Sequence, residues 1–298
     1  MRIVRRSTLF FYGTMAAIIG GAVAVIGANR LPEGAWSGIP AAVLVLWAGL
    51  RRAVRRWRVA HQPLPESSLA WLEEHVPFYR RLGAEGKSQF EQDVKFVLDE
   101  WRFEGVGGVE VTPELQLGVG AGVALLVHGR PDWELSPART VLFYPEAFDE
   151  AYEGGDFAEF DGMAHAQGPI ILSKQAVERS WARPDDGNNV VLHELAHLFD
   201  FANAFADGVP ALLDPASITA WNELARREMR RALVGRSLLR RYAATNTAEF
   251  FAVAVENFFE RPEQLARQHH HLFNALVALF NLDPRGDTEP AEESVASS

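Results

Sequence analysis

Five consecutive residues, His193-Glu194-Leu195-Ala196-His197, combine two metal-binding side chains and a base at helical spacing. On a helix, residues four apart lie on one face a turn above each other, so the two imidazoles address one point. Two such nitrogens can bind one Zn²⁺ at about 2.0–2.1 Å each, leaving the intervening carboxylate beside the open position. Glu194 can there take a proton from a water that the metal has acidified, which is hydrolytic chemistry. The competing reading is a helix whose histidines only make hydrogen bonds. It is disfavoured by Val190, Val191, Leu192, Leu195, Ala196, Leu198 and Phe199 around the motif, because three titratable groups among apolar residues must each be satisfied. Gly187 and Asn188 are expected to supply a turn and a helix cap.

A catalytic zinc needs a third protein ligand. The chain has no cysteine, so the ligand must be His, Asp or Glu, and Leu198 to Asn203 offers no histidine. The segment Thr247–Phe259 is a strongly apolar helix stopped at Arg261-Pro262, and it carries Glu249 and Glu256 nearly on one face. Carboxylates so placed need a cation or a metal, and spacing alone leaves both open. A helix separates them by about 10.5 Å along its axis, so one ion cannot be ligated directly by both. Asp200 is either a partner that orients an imidazole or a plain helix-end carboxylate. Asp207-Gly208 reads as a turn, Gly168–Ser173 as either an interior strand or an edge that pairs with extended substrate, and His269, His270 and His271 as a polar helix face. His165 has no assigned role.

The elements that must position these groups follow from the apolar spacing. From Glu66 to about Phe103 the period is helical. Val109–Val111, Val123–Val127, Thr140–Tyr144 and Gly168–Ser173 read as short strands between Gly and Pro turns. After Asn188 the chain is helical again almost to Leu282. Helices, then strands, then helices make an α+β arrangement. The expected organisation is an N-terminal membrane hairpin over 1–60, a catalytic domain over 61–283 beginning at the linker His61-Gln62-Pro63-Leu64-Pro65, and a disordered acidic tail over 284–298.

The 298 residues are 48% hydrophobic and 23% charged, a globular composition. The net charge of −10 hides a division. Residues 1–60 carry nine arginines and one acid, Glu33, whereas the other 238 hold 20 basic and 38 acidic side chains. So acidic a body excludes nucleic acid as a partner, which requires clustered Lys and Arg. The arginines instead flank two apolar stretches. Leu9–Ala28 is long enough to cross about 30 Å of hydrocarbon as a helix. Trp36–Leu50 is marginal and either spans with help from its interfacial Trp36 and Trp47 or lies along the surface. Arg2, Arg5 and Arg6 precede the first stretch and Arg51, Arg52, Arg55, Arg56 and Arg58 follow the second. The positive-inside rule therefore places both ends, and the catalytic domain, on the cytoplasmic side of the cell membrane.

Val190–Asp200, Ala206-Asp207-Gly208-Val209-Pro210, Tyr242–Val253 and Gly168–Leu172 together resemble the Mlc titration factor A family of zinc peptidases, over roughly residues 64–283. The resemblance implies a gluzincin-like, zincin-type domain similar to the anthrax lethal factor catalytic fold. It implies zinc on His193, His197 and Glu249, Glu194 as general base, and Tyr242 as a transition-state-stabilising tyrosine. It further implies an aminopeptidase-like activity on peptide or protein substrates and, from the founding member, binding of a regulatory protein partner, a transcriptional repressor. The chain departs from the family pattern in Leu198-Phe199, where Lys-Leu is usual, and in its membrane hairpin. Two functions are therefore expected to compete: a membrane-anchored zinc metallopeptidase, or a zinc-bound interaction module that cleaves little or nothing.

Overall fold

Apolar residues at helical spacing fold most of the chain into helices around a small sheet. The structure, a computed structural model, describes residues 1–4, 6–133, 139–145, 148–149, 159–160, 162–164, 168–200 and 215–286. Two compact units result, Met1–Pro63 and Leu64–Ser298.

In the first unit, α1 (Arg6–Ala28) and α2 (Gly38–Ala60) are joined through a 3-10 turn at Pro32–Ser37. Small residues line their contact. A side chain begun at Gly20 would lie 2.9 Å from the Ala42 methyl, and one at Gly38 2.7 Å from that of Ala24. Such a seam lets backbones approach closely where apolar surface cannot drive association. The large side chains turn outward: Phe10, Ile18, Val25, Leu44 and Trp47 are all exposed. Both helices are long and apolar enough to cross a membrane, with mean hydropathy 2.1 for the first and 1.3 for the second.

The second unit opens with α3 (Glu66–His75), α4 (Pro77–Arg81) and α5 (Ala84–Glu100), followed by β1 (Arg102–Gly105), α6 (Pro113–Val127) and β2 (Thr140–Tyr144). A short antiparallel pair, β3 (Phe148–Asp149) with β4 (Glu159–Phe160), precedes β5 (Gly162–Ala164) and β6 (Ile170–Ser173). The rest is helical: α7 (Lys174–Ala182), α8 (Val190–Asp200), α9 (Pro215–Leu233), α10 (Thr247–Glu260), α11 (Pro262–Gln268) and α12 (His270–Phe280). The sheet runs β1-β2-β6-β5, parallel except for β5, which pairs antiparallel to β6 with Gly162 opposite Leu172. β6 is thus paired on both sides, and Gly168–Ser173 is no edge. Among the described residues β5 takes that place.

Two expected strands are not strands. Val123–Val127 is the last turn of α6, and Val109–Val111 is the extended lead into its cap, where the Thr112 hydroxyl accepts from Leu115 N at 3.4 Å. The misreading has a physical cause. α6 is buried from Leu117 to Val127 without interruption, so it shows neither helical nor strand periodicity, and a short apolar run fits both. The Thr-Pro-Glu start at 112–114 was the informative signal. Conversely, α5 ends at Glu100, and Arg102 and Phe103, read as the end of the helical stretch, open the first strand, Arg102–Gly105.

α6 is the platform for the chemistry. A side chain at Gly122 would lie 2.7 Å from Val191 Cγ1 and 2.9 Å from Leu195 Cδ1, so this glycine lets α8 rest directly on α6. On its other side α8 meets α10, whose Phe250 to Phe258 are all buried. Phe258 packs on Phe273 and Phe280 with ring centroids 5.5 and 5.6 Å apart. Fully burying each such side chain contributes about 1.5–3 kcal/mol, so α10 is held firmly enough to fix what it presents. Past Leu282 the chain still touches the body: Arg81 donates to the Pro284 carbonyl at 2.9 Å, and the Arg285 guanidinium sits 4.4 Å over the Phe273 ring. Residues 287–298 of the expected tail lie outside the described residues.

Candidate metal centre

The N-terminus of α8 is fixed first. Its cap is Asn189, one residue later than expected, whose side-chain oxygen accepts from Leu192 N at 3.1 Å. Val190 N donates to the Ser180 hydroxyl at 3.0 Å, and two carboxylates from the far end of α10 meet the N–H groups of the three residues before it. Glu256 accepts from Asn189 N at 2.7 Å, and Glu260 accepts from Gly187 N at 2.8 Å and Asn188 N at 3.1 Å. Negative charge at a helix N-terminus is the favourable sign. These bonds lock the register of α8 against α10.

That register brings three of the sequence-derived ligands together. His193 Nε2 lies 2.9 Å from Glu249 Oε2 and 3.2 Å from His197 Nε2, and His197 Nε2 lies 3.7 Å from Glu249 Oε1. One ligand atom from each falls within 4.8 Å of the others. Nitrogens bound to one tetrahedral zinc at about 2.0–2.1 Å stand about 3.3 Å apart, so the two imidazoles converge as a shared ion requires. Glu249 is presented by the first turn of α10, where the Asn246 side chain caps Glu249 N at 2.9 Å.

Glu256 serves the same histidine from the opposite side. Its Oε1 accepts from His193 Nδ1–H at 2.7 Å, which leaves Nε2 facing Glu249 and His197. Arg240 holds this carboxylate bidentately, Nη1 to Oε2 at 2.7 Å and Nη2 to Oε1 at 2.9 Å, and also donates to Asn188 Oδ1 at 2.7 Å. Glu256 is fully buried, and burial opposes its charge. The His193 hydrogen bond and the Arg240 charge nevertheless hold it below the ordinary carboxylate range. Sequence reasoning missed Arg240. Its signal was the need of a buried carboxylate for a cation.

Glu249 and His193 are both shifted by their mutual contact. Burial pushes Glu249 up, but hydrogen bonds from His193 and His197 take it well below its usual range. Burial alone would lower His193, yet bonds to Glu249 and Glu256 raise it strongly. A metal cation between these atoms would meet the same lone pairs.

Glu194 is buried beside them, and burial raises its carboxyl above the ordinary value. Strand β5 closes this side. A side chain at Gly162 would lie 2.6 Å from Glu194 Cγ and 2.7 Å from its Oε1, so only glycine leaves the carboxylate its place. Gly162→Ala should therefore push the Glu194 carboxylate aside and, on the hydrolytic reading of this centre, lower turnover on the order of a hundredfold, with metal content unchanged. Steady-state kinetics beside metal analysis checks this, and undiminished turnover would refute it. Tyr242 stands at the mouth, 38% exposed, in a 3-10 turn at Arg241–Ala244, its ring centroid 6.0 Å from that of His193 and its face toward Arg240. Burial and the Glu249 charge raise its phenol, which stays protonated as a hydrogen-bond donor.

The histidine run is not a uniform polar face. His269 is buried, its Nδ1–H donating to Glu228 at 2.7 Å and its Nε2 accepting from Leu238 N at 3.1 Å, while His270 and His271 are exposed. It pins the chain two residues before Arg240. Asp200 closes α8, but its side chain, like Asp207, Gly208 and His165, lies outside the described residues.

Comparison with known proteins agrees with this centre. The family model described as "Glucose-regulated metallo-peptidase M90" matches residues 50–281. An uncharacterized protein of Synechocystis sp., slr2042, is 28% identical over 244 residues, covering 77% of this chain and 89% of that one. Mlc titration factor A of Yersinia enterocolitica is 27% identical over 248 residues, 76% of this chain and 90% of its own. Mlc titration factor A of Yersinia pestis is 27% identical over 257 residues, 80% and 94% respectively.

Proposed function

We propose, from the premise that the chain belongs to the glucose-regulated metallo-peptidase M90 family, that it is a membrane-anchored zinc metallopeptidase of zincin type. The observation that carries this reading is the convergence of His193, His197 and Glu249 beside a buried carboxylate that is not among the ligands. Those three residues would hold the zinc, which would supply Lewis acidity and acidify a water there. Glu194 accepts the proton of the attacking water and passes it toward the leaving amine. The Tyr242 hydroxyl, kept protonated, donates to the oxygen on which negative charge develops. Glu256 fixes the His193 tautomer and Arg240 fixes Glu256. The test is peptide hydrolysis by the full chain, abolished by a chelator and restored by about one equivalent of zinc. Hydrolysis that survives removal of all metal would sink the reading.

The hairpin supports anchoring. Its outward faces are large and apolar, its helices meet through small residues, and eight of its nine arginines lie at the two chain ends of the spans, Arg30 alone standing in the connector. By the positive-inside rule the peptidase unit faces the cytoplasm. A topology reporter fused after Ala60 should therefore read as cytoplasmic, and an external signal would reverse the orientation. A second reading is favoured by the relatives' name, Mlc titration factor A, which speaks of a bound protein. On that reading the chain captures a regulatory protein and the zinc site is only structural. Such a module has no use for Glu194.

A further inference from the structure

Five arginines crowd the second half of α2, from Arg51 to Arg58, and they do not all face one way. Arg56 is buried and donates through Nη1 to the Arg2 carbonyl at 2.8 Å. Arg51, Arg55 and Arg58, spaced four and three apart, share one helix face. They form one end of an open groove of about 630 Å³ whose other walls are Val43, Leu46, Trp47, Leu50 and Val54. Val43, Trp47, Leu50 and Val54 repeat at helical spacing and make an apolar stripe about 16 Å long. No acidic residue lies between Glu33 and Glu66. The groove is therefore amphipathic along its length, apolar toward the middle of the helix and cationic toward its C-terminal end.

We propose that this groove is a binding site for an anionic phospholipid, one acyl chain lying on Val43, Trp47 and Leu50 and the headgroup phosphate on Arg51, Arg55 and Arg58. The inference rests on the membrane reading of the hairpin. Guanidinium groups match phosphate oxygens bidentately, and the apolar walls offer nothing that a polar peptide would hydrogen-bond. Each arginine held near an anionic lipid surface is worth about fivefold in binding. Three together should select an anionic lipid over a zwitterionic one of the same chains by well over tenfold. The groove would then fix where along α2 the bilayer surface lies, at Arg51.

The full chain reconstituted into nanodiscs of equimolar phosphatidylglycerol and phosphatidylcholine, then moved to mild detergent, allows retained phospholipids to be identified by native mass spectrometry. The expected result is retained phosphatidylglycerol in at least about tenfold excess over phosphatidylcholine. The triple variant Arg51→Gln, Arg55→Gln, Arg58→Gln should retain the two lipids about equally, while still entering pure phosphatidylcholine nanodiscs. Arg52→Gln, which does not line the groove, should keep the preference. Retained lipid that mirrors the bulk mixture in the wild type, or a preference that persists in the triple variant, overturns the site and leaves the hairpin reading intact. A wild-type chain that enters neither kind of nanodisc overturns both.

Discussion

Glu194→Gln should reduce peptide hydrolysis by the zinc-loaded chain about a thousandfold, within the range expected for removing a general base, while leaving about one zinc per chain. The substitution is close to isosteric, which matters because Glu194 is buried and pressed against Gly162. Gln fits the same space, so the packing that surrounds the site is undisturbed. Glu194 is not among the three converging ligands, so metal content should not follow activity down. The amide cannot accept a proton at neutral pH, and the loss should fall on kcat rather than on KM, since it removes an interaction needed only in the transition state. Steady-state kinetics on a peptide substrate, with metal measured on the same sample, provides the check. Turnover within a few-fold of wild type would remove Glu194 from the mechanism. The same variant separates the two readings of the site, because capture of a regulatory protein without cleavage should be indifferent to this carboxylate.

The metal-facing half of the centre was legible because the helix period alone fixes it. Residues 193 and 197 share a face whatever α8 packs against. The carboxylates of α10 were legible only as a pair. Their separation along the helix excludes joint ligation of one ion, yet both reach His193, because the imidazole lies between them: Glu249 meets Nε2 and Glu256 meets Nδ1. That arrangement depends on the register of α8 against α10, set by Asn189 and Glu260, and no local spacing encodes it. Gly162 and Arg240 were not legible for the same reason, since each arrives from a distant segment. His269 was misplaced because a run of three histidines looks alike in sequence, whereas Glu228 on another helix decides that only the first is buried. The strand reading of Val123–Val127 failed where burial was most complete. α6 is surrounded on all sides by the domain it organises, and a segment with no solvent face carries no periodicity to read.

Because the two α10 carboxylates meet opposite nitrogens of one imidazole, removing them should have opposite consequences. Glu249→Ala deletes a carboxylate that converges with His193 and His197. Two imidazoles remain, too few for a protein zinc site, so bound zinc should fall to a small fraction of one per chain and hydrolysis should vanish with it. The fold should survive, because Glu249 is partly exposed and its helix is held by the buried phenylalanines behind it. Glu256→Ala leaves the three converging ligands in place. It removes the acceptor that fixes His193 Nδ1–H, the partner of both Arg240 guanidinium nitrogens, and the acceptor of Asn189 N–H. Zinc should still bind at saturation, with affinity about 10–100-fold weaker because its first histidine is no longer oriented. The heavier cost should be in stability, though below the roughly 3–5 kcal/mol of breaking a fully buried ion pair from one side, because the Arg240 side chain left behind is a third exposed. Glu256→Gln, which keeps the volume and an acceptor for Nδ1–H, should recover part of both losses, as a positioning role requires and a merely space-filling one does not. Zinc stoichiometry and affinity, measured with thermal melts on the three variants, decide the matter. Zinc kept by Glu249→Ala and lost by Glu256→Ala would exchange the roles of the two carboxylates, and with them the side of His193 on which the metal sits.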